Sequence, residues 1–189
     1  MAFTPCATIT SGLNGTSCEP NPGGVSEIIL TNFADITALG LTGGTGNELS
    51  LVVGITGPAG ATAGFFFKYI FRRNTASFQE DLTKDLSTGS LFYTQTGTIV
   101  LDKIEKSKRD ELMLLDSSLV TVIAKHSNGT YWMYGATDGM YVTTNVSGTG
   151  TAKTDQNGYT ITLIAEESVR AYQVSGTVNG TTINNLVAP

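Results

Sequence analysis

One histidine, one tryptophan, two cysteines and five prolines stand in a chain of 189 residues, and each shortage removes a class of function. The cysteines and the histidine make three ligands of the Cys/His kind, whereas a closed structural zinc site takes four. Only 14% of residues are charged, and the balance is acidic, with a net charge of −5. A protein that grips nucleic acid through its phosphates needs the opposite sign, although a like-charged wall suits DNA that must slide past without sticking. No run of apolar residues approaches the ~20 that cross a bilayer. The opening MAFTPCATITSGLNGTSCEP has neither the basic leader nor the apolar core of a secretory signal. A chain made without a signal starts in a cytoplasm, so Cys6 and Cys18 are expected as free thiols rather than a closed loop. The sequons at Asn14, Asn128, Asn145 and Asn179 then carry no sugar.

Catalytic signatures are missing too. There is no GxSxG, HExxH, CxxC or Walker stretch, and the glycine-rich GGTGN has no Lys-Ser/Thr after it to hold a phosphate. Glu80-Asp81 and Glu166-Glu167 are adjacent acids, which on a strand point to opposite faces and do not form a general acid/base pair. The chain is therefore expected not to be an enzyme, with no catalytic residue, bound metal or cofactor.

What is present is glycine, 22 residues of it, together with 40% hydrophobic residues. That composition suits one β-rich domain with tight turns and a core of its own. Residues 1–24, ending in EPNPGG, read as an irregular arm, or as a loop with a short strand at Ala7–Thr10, and 25–189 as the domain. A strand is expected around Ile28–Thr31 with a turn at Asn32–Asp35, then a short apolar strand (LSLVVGI) between glycine-rich loops. FFFKYIFRR has the clearest period of two. It puts Phe65, Phe67, Tyr69 and Phe71 on a buried face and Phe66, Lys68, Ile70 and Arg72 on a mixed one. Residues 73–90 read as a polar, acidic excursion before a strand over 91–104, together an extended hairpin reaching from the core. One amphipathic helix is expected over 105–118, with Ile104, Leu112 and Leu115 inward and Lys106, Lys108 and Arg109 facing solvent or a neighbouring subunit. Further strands follow at SLVTVIAKH, TYWMYGA, MYVTT, YTITLIAEE and AYQVSG, separated by Asn-Gly and Asp-Gly turns. A polar tail, TTINNLVAP, ends the chain.

The stretch KHSNGTYWMYGATDGMYVTT gathers aromatics and the lone His126 between two glycine turns. Alternation sends Tyr131 and Met133 one way and Trp132 and Tyr134 the other, the pattern of cross-strand packing. Trp132 is expected in the core.

Two stretches, CEPNPGGVSEIILTNFADITAL and YWMYGATDGMYVTTNVSGTGTAKTDQNGYTITLIAEES, cover about a third of the chain. They resemble tail tube proteins (major tail proteins) of tailed bacteriophages, in particular phages of Bacteroidota-like hosts. The resemblance implies a β-sandwich or partial barrel with one flanking α-helix and extended hairpin or arm segments. It further implies a virion subunit, assembled in the host cytoplasm, that stacks as hexameric rings around an acidic channel for DNA during ejection. Its partners would be copies of itself, other tail proteins and DNA in transit, without a membrane span. Glu80, Asp81 and Asp85 are the candidate lumen residues. The alternatives are another virion component (head decoration, connector or baseplate) or a carbohydrate-binding β-sandwich that uses Trp132, Tyr131 or Tyr134 as a stacking platform.

Overall fold

The computed structural model describes residues 22–43, 51–57, 65–178 and 181–185. All but the last three residues of the expected arm over 1–24, including Cys6 and Cys18, lie outside the described residues. The strands in chain order are β1 (Val25–Asn32), β2 (Ala38–Thr42), β3 (Leu51–Thr56), β4 (Phe67–Tyr69), β5 (Ala76–Asp85) and β6 (Ser90–Asp102). The helix α1 (Lys106–Leu115) comes next, followed by β7 (Val120–His126), β8 (Tyr131–Tyr134), β9 (Tyr141–Gly148), β10 (Gly158–Glu167), β11 (Tyr172–Val174), β12 (Thr177–Val178) and β13 (Thr181–Thr182). A seven-stranded sheet runs β2-β3-β11-β8-β7-β1-β4 and a four-stranded sheet runs β5-β6-β10-β9. The fold is mainly β, a two-sheet sandwich with one flanking helix.

The centre of the larger sheet is buried on both faces, which is why β1 and β7 read as continuous apolar runs. Ile28, Leu30, Val120, Val122 and Ala124 face the four-stranded sheet. Ile29, Ile123 and Met133 face the other way, onto a second cluster with Phe66, Val174 and Ile183. The four-stranded sheet supplies Ile99, Leu101, Tyr159, Ile161, Leu163 and Ala165 to the first cluster. Its β6–β10 pairing is unbroken from Gly158↔Asp102 to Glu167↔Tyr93. Helix α1 adds Leu112 and Leu115 to the same core.

Two expectations need correction. FFFKYIFRR is not one strand: only Phe67–Tyr69 pairs, against Leu30 to Ile28 of β1. Phe65 and Phe66 are both buried in the second cluster, with ring centroids 4.3 Å apart. Tyr69 and Phe71 are half-buried against the first cluster, while Phe67 is 42% exposed. The period-2 argument requires a continuous extended segment. Here the aromatics on either side of a three-residue edge strand enter different cores, and among the described residues no strand pairs with the outer edge at Phe67. The excursion over 73–90 is mostly strand, because Ala76, Phe78 and Glu80 turn inward while their polar neighbours stay wet, and a half-buried strand with a polar face reads as loop. The polar tail joins the fold as well, since β13 pairs with β12 and Ile183 is buried.

Candidate functional site

Cross-strand register fixes which residues share the face of the four-stranded sheet turned away from the core. Asp81, Thr94 and Glu166 form one row across β5, β6 and β10. Ser77, Thr98, Thr162 and Thr144 form another across all four strands. Gln79, Thr96, Ile164 and Tyr141 form a third. The charges on this face are Asp81, Asp85, Asp102 and Glu166. The four strands contribute no lysine or arginine to it, because Lys84, the one base among them, faces the other way. Asp102 is neutralised from the flank by Arg72 at 2.5 Å. The face is thus hydroxyl-rich and acidic.

Both edges of this sheet are open. Among the described residues nothing pairs with the outer edge of β5, ten residues long, or of β9, eight residues long. At one end, β10 follows β6 only as far as Tyr93, so the tip of the β5–β6 hairpin stands without a third strand. Leu82, Leu86 and Leu91 are exposed there by 50%, 84% and 46%. At the turn, the Asp85 carboxylate accepts the Ser87 N–H at 2.8 Å and the Ser87 hydroxyl at 2.6 Å. These bonds, with further ones from Thr88, hold its carboxyl below the usual range.

The three acids expected in a lumen do not share one surface. Asp81 and Asp85 lie on the outer face, but Glu80 pairs with Gln95 on the core side, since successive residues of a strand alternate. The Glu80 carboxylate accepts the Ala171 N–H at 2.6 Å and the Arg170 guanidinium at 3.1 Å, with Gln95 Nε2 at 3.4 Å. Gln95 Oε1 in turn accepts the Gly135 N–H at 2.9 Å. Glu167, 1% exposed, accepts the Thr137 N–H (3.1 and 3.2 Å to its two oxygens) and the Asp138 N–H at 3.1 Å. Glu80, Gln95 and Glu167 therefore tie loops of the molecule to the inner face of the sheet. Glu166 takes the outward place that sequence reasoning gave to Glu80. The alternation Ile161-Leu163-Ala165 was the signal that could have found it.

The aromatic stretch divides as the alternation expects. Tyr131 lies under the Lys125 ammonium and packs on the second cluster. Trp132 and Tyr134 face the four-stranded sheet, Tyr134 buried and Trp132 half-buried against the first cluster. Tyr131 cannot share a platform with them. Phe78 stacks on Tyr134 at 4.7 Å between centroids. His126 Nε2 lies 3.2 Å from the Tyr134 hydroxyl. Burial lowers the His126 pKa and, with the Glu80 charge second, pushes the Tyr134 hydroxyl up to about 12. A neutral imidazole can accept the phenol hydrogen of Tyr134 at Nε2.

Among the described residues no group of three or more His, Cys, Asp or Glu side chains is disposed to hold a metal ion. No helix there is long and apolar enough to cross a membrane. No family model matches the sequence, and no curated protein and no solved structure is significantly similar to it.

Proposed function

We propose that this chain is a structural, non-enzymatic subunit whose four-stranded sheet joins copy to copy, edge β5 against edge β9, until a ring closes. The observation that carries the reading is the pair of long open edges on one sheet whose outer face is acidic and rich in hydroxyls. An unpaired edge is a template for another strand. A head-to-tail contact between two different edges gives a ring when the rotation closes, and closure leaves no edge exposed. The outer faces then line the channel, where carboxylates repel phosphates and the hydroxyls, being uncharged, release no counterions and add no long-range attraction. The exposed leucines of the hairpin tip are placed to meet the next ring. This architecture fits the tail tube of a tailed bacteriophage, in keeping with the sequence resemblance, with hexameric rings stacked in the virion and other tail proteins at the ends.

Negative-stain microscopy of the purified chain should show rings or tubes; particles that stay monomeric at high concentration would overturn the reading. Engineered cysteines test the edges directly. In a background with Cys6 and Cys18 replaced by serine, Ser77→Cys or Gln79→Cys on β5 is combined with Thr144→Cys or Val146→Cys on β9. Within one chain these positions are separated by three strand spacings, roughly 14 Å, beyond the ~7 Å reach of a disulfide. Oxidation should give covalent ladders for at least one pair, and monomers alone from every pair would exclude β5–β9 joining.

A further inference from the structure

We propose that the cleft between the two sheets at the Glu80 end is a binding site for one neutral pyranose sugar ring. This inference stands independently of the assembly reading. The cleft has a volume of about 290 Å³ and is lined by Glu80, His126, Trp132, Tyr134, Arg170 and Ala171. That is near the lower end of small-molecule sites, room for a single ring rather than an extended oligosaccharide.

Its floor is aromatic. The His126 ring lies near-parallel to Trp132 (25°, centroids 6.1 Å) and to Tyr134 (26°, 6.5 Å). At these separations the rings are too far apart for close face-to-face contact, and they share a similar tilt along one side of the cleft. Phe78 covers the Tyr134 end of the floor at 4.7 Å. The cleft is the space beside Phe78, over the half-buried His126 and Trp132.

The rim is polar, and its charges cancel. Glu80 and Arg170 form an ion pair at 3.1 Å, with side chains 14% and 52% exposed. Arg170 is braced over the Tyr93 ring at 4.9 Å. An ionised carboxylate has about four acceptor sites, and Arg170, Ala171 and Gln95 take three of those on Glu80. The guanidinium has five N–H donors, of which one Nη1 donor goes to Glu80. A remaining acceptor and several donors thus stand at the edge of an aromatic floor formed by His126 and Trp132.

A pyranose matches both parts. Its C–H face lies on aromatic rings, and its equatorial hydroxyls lie near the ring plane, where they can both donate and accept. A bare aromatic ring would leave the rim groups unsatisfied. An anionic ligand meets Glu80 and a cationic one meets Arg170, so the neutral ring is selected.

Trp132 is the chain's one tryptophan, so its fluorescence reports on the cleft alone. The full-length protein is titrated with the methyl glycosides of glucose, galactose, mannose and N-acetylglucosamine, with saturation-transfer NMR on each glycoside as a second readout. At least one should give a saturable emission change with a Kd on the order of millimolar, as expected of a single-ring ligand. Arg170→Ala and His126→Ala, each checked for native circular dichroism, should weaken that glycoside about tenfold, the effect of losing one or two such contacts. Methyl glucuronide and glucosamine should bind more weakly than the neutral sugars. No saturable response by either readout to any of the four would overturn the site. Unchanged affinity in both variants would place the sugar elsewhere, and preference for a charged sugar would overturn the neutral class.

Discussion

Glu167 shows how much a single side chain can hold in this molecule. Its carboxylate is buried, has no ion-pair partner among the described residues, and accepts backbone N–H groups of Thr137 and Asp138. Glu167→Gln replaces one acceptor oxygen with a donor that faces those same N–H groups. The expected loss is about 1–3 kcal/mol, the penalty for unsatisfied buried polar groups, read as a lower urea midpoint with unchanged slope. His126 gives a pH prediction. Its folded pKa lies below the ordinary 6.5 because of burial, so the unfolded chain takes up the proton first. Stability is therefore full above pH ~6.5 and falls as pH drops through the folded value, by less than about 1 kcal/mol because the ring is only half-buried. His126→Gln should flatten denaturation midpoints between pH ~7 and ~5, a range where carboxylates contribute little. Neither role was legible beforehand. Glu167 was one of two adjacent acids, and although the alternation Ile161-Leu163-Ala165 carried on to Glu167 marks it as the inward one, it does not show that backbone N–H groups would be there to receive it. The sandwich above it decides that.

Strands were the best-read elements, because alternation survives wherever one face is wet. YTITLIAEE became β10, VSEIILTN became β1, and the helix over 105–118 formed over Lys106–Leu115. The failures fell where tertiary contacts override a local period, at Phe65–Phe67, or where a wet strand face imitates a loop, at 76–85. The hairpin β5–β6 also carries a packing condition that no period reveals. A Cβ at Gly97 would overlap the Phe78 ring that stacks on Tyr134. Gly97→Ala should displace that ring at a cost of about 1–3 kcal/mol, visible as a lower Tm and an altered near-UV spectrum. The tip of the same hairpin should behave oppositely. Replacing Leu82, Leu86 and Leu91 with serine removes exposed side chains, so each change should alter stability by less than about 0.5 kcal/mol. Single rings should persist in micrographs while stacked tubes shorten or vanish; undiminished tubes would assign the tip to another surface.

At the scale of the whole molecule, charge separates the outer sheet face from the rest. Asp81→Lys, Asp85→Lys and Glu166→Lys together move the net charge from −5 to +1, with the change concentrated on one face. Assembly should survive, since exposed charges are worth about 1 kcal/mol or less each. Assembled rings should now retain DNA in a filter assay, with retention falling steeply as salt rises because counterion release drives it. Retention independent of salt, or none at all, would place this face outside the channel. The central pairing β6–β10 has a kinetic consequence as well. The hairpins β5–β6 and β9–β10 are local and can each close on the microsecond scale, whereas joining them must close the long connection from Asp102 to Tyr141, residues 103–140. Until that late step, each hairpin presents two sticky sides rather than one. The meeting of β6 with β10 removes the two inner sides and leaves β5 and β9, so if copies join edge to edge as proposed, the late, long-range step in folding is also the one that defines which edges are left to join.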